Sequence, residues 1–518
     1  MISVLLAALS AGLLILAFPK PDLGWLAFVA LVPLLLAIHG RPPVRAFRLG
    51  ALTGLLFYLV SVSWVTHSMM VYGGVSFALS ALALIVLAAY LSLYIGLFAM
   101  GTSWMAGAPW PLNILGPSAL WVGLEYLRTY ALTGFPWILL GYTQYRHGAL
   151  LPIASVTGVY GLSFVVALVN IALVQLVGAA PARLRTIGLA GAVTLAMVWS
   201  PRLLSPLAVP ADSGPPLGVA LVQGNIDQGL KWDPTMQATT MEQYGSLSLE
   251  AAKHAPTLIV WPETAVPFFL RYEPALLGRV LGIAAETGSY LLVGSPDAEP
   301  PAAADGSIRY RNSAFLISPK RELLGRYDKI HMVPFGEYVP LKSVLFFINK
   351  LAYGIGDFEG GRTYTVFDTP GGRFAVTICY EAIFPDQVRR YVKEGAEFLV
   401  NITNDAWFGR SAAPTQHLAM AVLRAVENRR YLVRAANTGI SAIVDSSGRI
   451  LHASDLFVPT VITDQIRVER AQTFYTRYGD LFAWTCVIFT VVVFMTTWAR
   501  SAVRITSGSA VASQRRMQ

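Results

Sequence analysis

Eight stretches of the sequence are apolar over a length that suits a membrane-spanning helix. Such a helix needs roughly 20 predominantly apolar residues, because the hydrocarbon layer of a bilayer is about 30 Å thick. Seven of the stretches lie before residue 205, so a large part of the chain must reside in lipid. The eight predicted spans are residues 2–18, 23–39, 48–66, 76–105, 112–131, 150–179, 186–204 and 481–499.

Composition agrees with a membrane protein and excludes two other classes. Only 13% of the 518 residues are charged, against about 25% in soluble proteins. The net charge of +9 does not indicate nucleic-acid binding, since the basic residues fall in short loops between apolar stretches. Two cysteines, Cys379 and Cys486, do not make a disulfide scaffold, and the second lies inside an apolar stretch.

The basic residues also predict the orientation of the chain. Lys and Arg collect in the short cytoplasmic loops of membrane proteins. With the N-terminus in the cytoplasm, three inner segments hold three, two and four basic residues, while the outer loops hold three in total. Both termini are therefore expected in the cytoplasm. The inner residues are Arg41, Arg45, Arg48, Arg183, Arg185, Arg500, Arg504, Arg515 and Arg516, and the outer ones are Lys20, Arg128 and Arg146.

Between the seventh and eighth spans, residues 206–475 have the pattern of a soluble α/β domain. Apolar runs of strand length alternate with amphipathic helical patterns such as residues 240–255 and 412–436, which is typical of layered folds with buried sheets. We expect a membrane domain at 1–205, this domain at 206–475, a last helix at 476–500 and a cytoplasmic tail at 501–518. The predicted strands are "PLGVALVQGNI", "PTLIVWPET", "SYLLVGSP", "RNSAFLISP", "RFAVTICYE", "EFLVNITND" and "GISAIVDSSG".

Cys379 is a candidate nucleophile because of its place in "RFAVTICYE". A free cysteine is more often a buried spectator that behaves as a small apolar side chain. However, this one follows a predicted buried strand, and functional groups of α/β proteins collect at the carboxyl ends of such strands. A nucleophilic thiol needs a base to remove its proton.

Histidine is the usual base, but the histidines of the domain offer weak support. None of them follows a predicted strand, and His417, at the start of a predicted helix, is interpreted as a surface or capping residue. The four are His254, His331, His417 and His452.

A carboxylate is the second option for the base. Glu263 in "LIVWPET" follows a predicted strand, as Cys379 does. Alone, Glu263 would be interpreted as a helix cap, and Lys329 in "GRYDKIHMVPFGEYVP" as a solvated charge. Together, a thiol, a carboxylate and an ammonium make a complete acyl-transfer site.

The motifs around these three residues resemble the Glu–Lys–Cys triad of the nitrilase superfamily. They are "WPET", "YDKIHMVPFGEYVP" and "ICYEAIFP", in that order along the chain. The resemblance implies an α–β–β–α sandwich in which Glu263 is the general base, Lys329 stabilises the oxyanion and Cys379 is the nucleophile. It also implies supporting or substrate-contacting roles for five further residues, Trp232, Glu337, Tyr380, Glu381 and Trp407.

The predicted membrane segments resemble the bacterial apolipoprotein N-acyltransferase family, as does the order of helices, nitrilase-like domain and final helix. The matching stretches are "LAFPKPDLGWLAFVALVPLLLAI", "GLEYLRTYALTGFPWILLGYTQ" and "GVYGLSFVVALVN". This resemblance implies an inner-membrane enzyme with its catalytic domain in the periplasm. It implies that an acyl chain passes from a phospholipid, through a cysteine thioester, to the α-amino group of a lipoprotein's N-terminal S-diacylglyceryl cysteine.

Two alternatives remain open at this point. A membrane-anchored amidase of the nitrilase type would use the same triad with water as acceptor, and a transporter would use the outer domain only to bind ligand. The large membrane part argues against the first, and the lack of matched broken helices argues against the second. We expect no cofactor and no metal, because no cluster of ligating residues has metal-site spacing, and we expect a monomer.

Overall fold

The computed structural model describes residues 1–176, 180–204, 213–299, 308–338 and 358–516. It contains a helical part and a domain of two β-sheets. The predicted boundary at 205/206 lies outside the described residues. The helices before that boundary are α1 Ile2–Ala17, α2 Ala27–Ala30, α3 Val32–Ile38, α4 Pro43–Ser61, α5 Trp64–His67, α6 Phe77–Met105, α7 Leu112–Tyr130, α8 Ala154–Thr157, α9 Val159–Gln175 and α10 Ala180–Leu204.

Each of the eight predicted spans corresponds to helical structure, but the helices differ in length. Four of the described helices are long and apolar enough to cross a membrane, and a bent pair, α8 with α9, would make a fifth. Two other segments are apolar but shorter, at 2–17 and 24–38, and α7, the predicted span at 112–131, is not among the helices apolar enough to cross. The four long ones are Pro43–Ser61, Phe77–Met105, Arg183–Leu204 and Leu481–Arg500.

The bend between α8 and α9 is 119° and occurs at Gly158. This residue has φ +64°, and a Cβ there would lie 2.7 Å from the ring of Tyr475. Because a side chain would be both strained and overpacked, only glycine suits this bend. Tyr475 belongs to the C-terminal extension of the sheet domain. The bend is therefore a place where that domain contacts the membrane helices.

The last helix is longer than predicted. It begins at Leu481 and continues through Arg516, so residues 501–516, expected to be a tail outside the helix, are helical. The segment contains a single glycine, Gly508, and no proline, so no residue that strongly breaks a helix interrupts it.

The two sheets of the second domain have six strands each, in the orders β12-β1-β2-β3-β4-β5 and β11-β10-β9-β8-β7-β6. All seven predicted strands are confirmed, as β1, β2, β3, β4, β7, β8 and β10. The strands are β1 Ser213–Gln223, β2 Leu258–Val260, β3 Tyr290–Glu299, β4 Arg309–Ile317, β5 Leu323–Asp328, β6 Val366–Thr369, β7 Gly372–Ile378, β8 Phe398–Thr403, β9 Leu432–Ala436, β10 Ala442–Val444, β11 Ile450–Ala453 and β12 Thr460–Glu469.

The helices of this domain cover the outer face of each sheet. They are α11 Gln237–Ala252, α12 Pro274–Thr287, α13 Pro385–Lys393, α14 Ala413–Asn428 and α15 Phe474–Tyr478, followed by α16 Leu481–Arg516. Apolar side chains from both sheets, such as Val260 and Val376, form one buried layer between them. A second layer joins the first sheet to α11 and α12. This is the expected α–β–β–α sandwich.

The predicted helix over 412–436 is wrong in its second half. α14 ends at Asn428, Arg429 adopts a left-handed conformation with φ +55°, and Leu432–Ala436 forms strand β9. The sequence "RRYLVRAA" contains neither glycine nor proline, so the pattern gave no sign of the break.

Strand direction brings the candidate residues to one edge. β1, β2 and β3 run parallel, as do β7, β8 and β9. β5 is separated from β3 by the antiparallel strand β4 and so runs in the same direction as β3. The carboxyl ends of β2, β5 and β7 therefore precede Glu263, Lys329 and Cys379.

Helix α14 joins the sheet domain to the membrane helices. Its side chains belong to a core that also contains residues of the second sheet and of the membrane part, such as Leu399 and Val159. Gln416 accepts a hydrogen bond from Trp137 Nε1 at 2.7 Å and donates to the carbonyl oxygens of Pro19 and Ser61, each at 3.1 Å. The two parts of the chain are thus packed as one body at this helix.

Glu427 at the end of α14 provides a test of this junction. Its Oε1 accepts from the backbone N–H of Val159 at 2.9 Å and from Arg424 Nη2 at 2.9 Å, and all three groups are buried. Glu427→Ala leaves a buried guanidinium without its carboxylate and should lower the free energy of unfolding by about 3–5 kcal/mol. Thermal unfolding in detergent measures this, with Glu250→Ala on the exposed face of α11 as the control. Equal midpoints for the two variants would contradict the proposed junction.

Candidate active site

Cys379 lies at a sharp turn directly after β7. Its φ is +52°, which is rare for a residue with a side chain, and the turn continues as a short 3₁₀ helix over Cys379–Ile383. The backbone N–H of Ile378 donates to Glu381 Oε2 at 2.7 Å, which fixes the start of the turn. Unusual backbone geometry of this kind is often found at functional sites, and here it carries the thiol, which is 8% exposed.

Glu263 follows β2 and is held through both carboxylate oxygens. Oε1 accepts from Asn312 Nδ2 at 2.8 Å, and Oε2 accepts from the backbone N–H of Asn404 at 2.9 Å. Because Asn312 belongs to the first sheet and Asn404 follows β8 of the second, the carboxylate bridges the two sheets. The side chain is 9% exposed, so its position is fixed with little access to water.

Lys329 follows β5 and lies between two carboxylates. Its Nζ is 2.9 Å from Glu337 Oε2, 3.0 Å from Glu337 Oε1 and 3.7 Å from Glu263 Oε1. Glu337 also accepts from Asn312 Nδ2 at 2.9 Å and from the backbone N–H of Val333 at 2.8 Å. Asn312 thus donates to both carboxylates of the cluster, which orients them around one ammonium.

Electrostatics give these groups different protonation states. Burial disfavours the charge of Lys329, but the carboxylates of Glu337 and Glu263 outweigh it and raise the pKa of the ammonium above its usual value. Burial, together with the charge of Glu263, raises the pKa of the Cys379 thiol well above its usual range, and Lys329 only partly offsets this. At rest the site therefore holds a protonated thiol and a charged lysine, so nucleophilic attack by the thiol requires a base.

The residues expected to support the site take separate roles. Glu381 is fully buried and accepts hydrogen bonds from the backbone N–H groups of Ile330, His331 and Ile378. It therefore ties the turn at Cys379 to the segment that follows Lys329, and its carboxylate is already fully engaged by the protein.

The three aromatic candidates lie in turns and loops of the sheet domain. Tyr380 Oη donates to the carbonyl oxygen of Gly134 in the membrane part, at 3.1 Å. The ring of Trp407 lies 5.1 Å from that of Tyr72, also in the membrane part. Trp232 is half-buried in the loop between β1 and α11. Two of the three therefore contact the membrane part, and Tyr380 does so directly after Cys379 in the chain.

The interpretation of His417 as a surface or capping residue is wrong. Its ring is fully buried in α14, and Nε2 lies 3.2 Å from the carbonyl oxygen of Cys379, which accepts the hydrogen bond. Nδ1 faces Asp405 at 3.0 Å and Arg434 at 3.1 Å. Burial and the charge of Arg434 lower the pKa of His417, so a neutral ring holds the backbone of Cys379.

Asp405 and Arg434 support that histidine. Arg434 Nη2 donates to Asp405 Oδ2 at 2.8 Å, and both side chains are fully buried. Burial opposes the charge of Asp405, but the guanidinium of Arg434 outweighs it, and the pKa of the carboxyl is lowered to about 2. Asp405 follows β8 in "NITND", so its place directly after a predicted strand could have identified it. Nothing in the sequence indicates that it contacts His417 of α14.

Comparisons with known proteins cover both parts of the chain. Residues 218–476 match the family model of the carbon-nitrogen hydrolases. Residues 10–172 match the model of the apolipoprotein N-acyltransferase N-terminal domain. Apolipoprotein N-acyltransferase of Geobacter metallireducens is 46% identical over 507 residues, which cover 96% of each chain.

The chain belongs to the apolipoprotein N-acyltransferase family.

A second relative, the apolipoprotein N-acyltransferase of Azotobacter vinelandii, is 37% identical over 98% of each chain. A solved member of branch 10 of the nitrilase superfamily from Saccharomyces cerevisiae is 19% identical, with a TM-score of 0.37, over 48% of this chain and 89% of its own. As a member of the family the protein is an acyltransferase with helices suited to cross a membrane several times. The expected fold class and family are thereby confirmed.

The contact between His417 and Cys379 yields a prediction. His417→Ala removes the hydrogen bond to the carbonyl oxygen of Cys379 and frees the strained turn to relax, so kcat should fall about tenfold. The measurement is the steady-state rate of N-acylation of a lipoprotein peptide at saturating phospholipid. His452→Ala is the control, because His452 is half-exposed and contacts Asp464 on the distant β12. A kcat for His417→Ala equal to that of the control would show that the turn needs no such support.

Proposed function

We propose that Cys379 carries an acyl chain from a phospholipid to the N-terminal amine of a lipoprotein. The observation that supports this most is the buried cluster of Glu263, Glu337 and Lys329 around the turn of Cys379. A thiol that is protonated at rest, a fixed carboxylate and a charged lysine suit the opening of an ester.

In the first half-reaction, the Cys379 thiol attacks the carbonyl carbon of the phospholipid ester while Glu263 accepts its proton. Lys329 stabilises the negative oxygen of the tetrahedral intermediate. When the intermediate collapses, the C–O bond breaks, and Glu263 returns the proton to the departing lysophospholipid oxygen. The product is a thioester on Cys379, and Glu263 is again a carboxylate.

In the second half-reaction, the α-amino group of an S-diacylglyceryl cysteine attacks the thioester. Glu263 accepts a proton from the amine and returns it to the Cys379 sulfur as the C–S bond breaks. An amide replaces a thioester, which makes this step favourable. The two substrates thus react in turn at the same sulfur, which is ping-pong order.

Segments of the membrane part suit delivery of these two lipids, because the carbonyl oxygen of Gly134 accepts a hydrogen bond from Tyr380, which directly follows Cys379. An acyl chain that enters from the bilayer between such elements does not cross water. We further propose that one chain forms the whole enzyme, since every group invoked above belongs to it.

For the orientation, we propose cytoplasmic termini and a periplasmic catalytic domain. Lys20 Nζ donates to the carbonyl oxygen of Arg410 at 3.3 Å, so the loop after α1 lies on the side of the catalytic domain. Arg128, counted above as an outer-loop residue, is instead buried inside α7, where Nη1 donates to Tyr58 Oη at 2.6 Å. Its removal from the count strengthens the excess of basic residues on the cytoplasmic side.

The thioester can be tested by intact mass spectrometry after the enzyme is mixed with phospholipid and no acceptor. The wild type should gain one acyl mass that hydroxylamine removes, and Cys379→Ala should gain none. Lys329→Met should form the same adduct about 10²–10³ times more slowly, because one donor to the oxyanion is lost. Lys253→Met on the exposed end of α11 is the matched control. Absence of an adduct on wild type with phospholipid bound would overturn the proposed mechanism.

A further inference from the structure

Lys231 is a buried ammonium that the chemistry above does not use. It lies in the loop between β1 and α11 and is 1% exposed. Its Nζ donates to the backbone carbonyl oxygen of Glu263 at 3.3 Å. In the described part of the chain it forms no salt bridge with a carboxylate, and the charge that acts on it is that of Glu263.

A buried lysine without a carboxylate in contact is unfavourable. Burial lowers the pKa of Lys231 to about 8, while the charge of Glu263 opposes this decrease. Around neutral pH the ammonium therefore still carries its charge in most molecules. Methionine or leucine would fill the same space without this cost, so the charge itself needs an explanation.

The charge balance of the site supplies one. Glu263 and Glu337 are 7% and 9% exposed, and Lys329 is 1% exposed. These three groups alone leave one negative charge in excess, in a place from which water is largely excluded. Lys231 makes the set neutral, with two carboxylates and two ammonium groups. A further negative charge that develops on sulfur or oxygen then forms beside a neutral set of groups.

The loop that carries Lys231 also holds Glu263 from two directions. Gln228 Oε1 accepts from Asn404 Nδ2 at 2.5 Å, and the backbone N–H of Asn404 donates to the Glu263 carboxylate. From the other direction, Lys231 contacts the backbone of Glu263, just before Thr264, whose φ is +48°. The loop thus contacts the side chain of Glu263 through one intermediary and its main chain directly.

We propose that Lys231 is a positioning residue for the general base, with its ammonium fixing the peptide of Glu263 and keeping the carboxylate ionised. The proposal rests on the proposed role of Glu263 as the base. Lys231 keeps Glu263 in place and charged, while Lys329 stabilises the oxyanion. A cation beside a carboxylate favours the charged form.

The other titratable groups near Glu263 do not provide this effect. Asp227 on the same loop and Glu337 are carboxylates, which would disfavour a further negative charge. The pKa of Asp405 is lowered to about 2, so this carboxyl remains ionised around neutral pH. Lys329 is shared with Glu337 at 2.9 Å and lies farther from Glu263, at 3.7 Å. Among the described residues, the Cys379 thiol also interacts with Glu263 and is neutral at rest, and the buried carboxylate of Glu381 would, like Glu337, disfavour a further negative charge.

The test is the pH dependence of kcat/KM for the phospholipid donor, measured with full-length enzyme in detergent and a lipoprotein peptide as acceptor. In ping-pong order this ratio reports the free enzyme and the donor, so the α-amino group of the peptide does not contribute to its acid limb. Lys231→Met should shift the acid limb of the profile to higher pH by about one unit, equivalent to a tenfold change in ionisation. Lys231→Arg, which keeps the charge, should retain the wild-type acid limb. Lys253→Met is the control for loss of a lysine charge far from the site.

A second neutral variant covers the case in which Lys231→Met does not fold. Lys231→Gln keeps a donor for the Glu263 carbonyl oxygen and loses only the charge, so it should show the same shift. A wild-type acid limb in both neutral variants, or in whichever one folds, would overturn the proposal. The variant Glu263→Gln distinguishes a failure of the proposed chemistry from a failure of the role proposed for Lys231. If Glu263→Gln is fully active, the proposed chemistry is wrong. If Glu263→Gln is inactive but the neutral Lys231 variants keep the wild-type acid limb, only the role proposed for Lys231 is wrong.

Discussion

The pairing of buried charges at the ends of β2 and β5 is the interaction on which the site depends. The cluster is almost fully buried, in Glu263, Glu337 and Lys329 alike. Each charge is therefore stabilised by the others and by the amide of Asn312. The same contacts hold the strand ends in place, because Glu263 also takes a hydrogen bond from the segment after β8. Fold and chemistry are therefore coupled, since a change that disturbs one charge disturbs the frame around Cys379.

Helix α14 extends this coupling to the membrane part. It carries His417, which holds the backbone of Cys379, beside Gln416, which binds three membrane segments. Acyl transfer between two lipids needs a sulfur that meets the bilayer without exposure to bulk water. A rigid helix packed on both sides meets that need better than a flexible anchor, which explains why the family combines a hydrolase-like sandwich with many helices.

Strand periodicity and strand direction predicted much of the sheet domain and of the candidate site. Glu263 and Cys379 were found because both follow predicted strands, and Lys329 was added as the cation that completes an acyl-transfer site, which the resemblance to a known triad then supported. His417 was missed because a polar residue near the start of a predicted helix is usually a cap or solvent-exposed, whereas the fold turns this ring toward Cys379 and Asp405. Strand β9 was missed because only a left-handed Arg429 breaks an otherwise continuous pattern. Lys231 could not be found, since no sequence pattern shows which loop returns to the base.

The central claim is that the acyl chain passes from a phospholipid ester to an amine with water excluded. The most direct measurement is the product balance of the purified enzyme with phospholipid and a diacylglyceryl peptide, by quantitative mass spectrometry of lysophospholipid, N-acylated peptide and free fatty acid. The account predicts equal amounts of lysophospholipid and N-acylated peptide, with no free fatty acid. Free fatty acid that matches the lysophospholipid, even at saturating peptide, would show water to be the acceptor and contradict it.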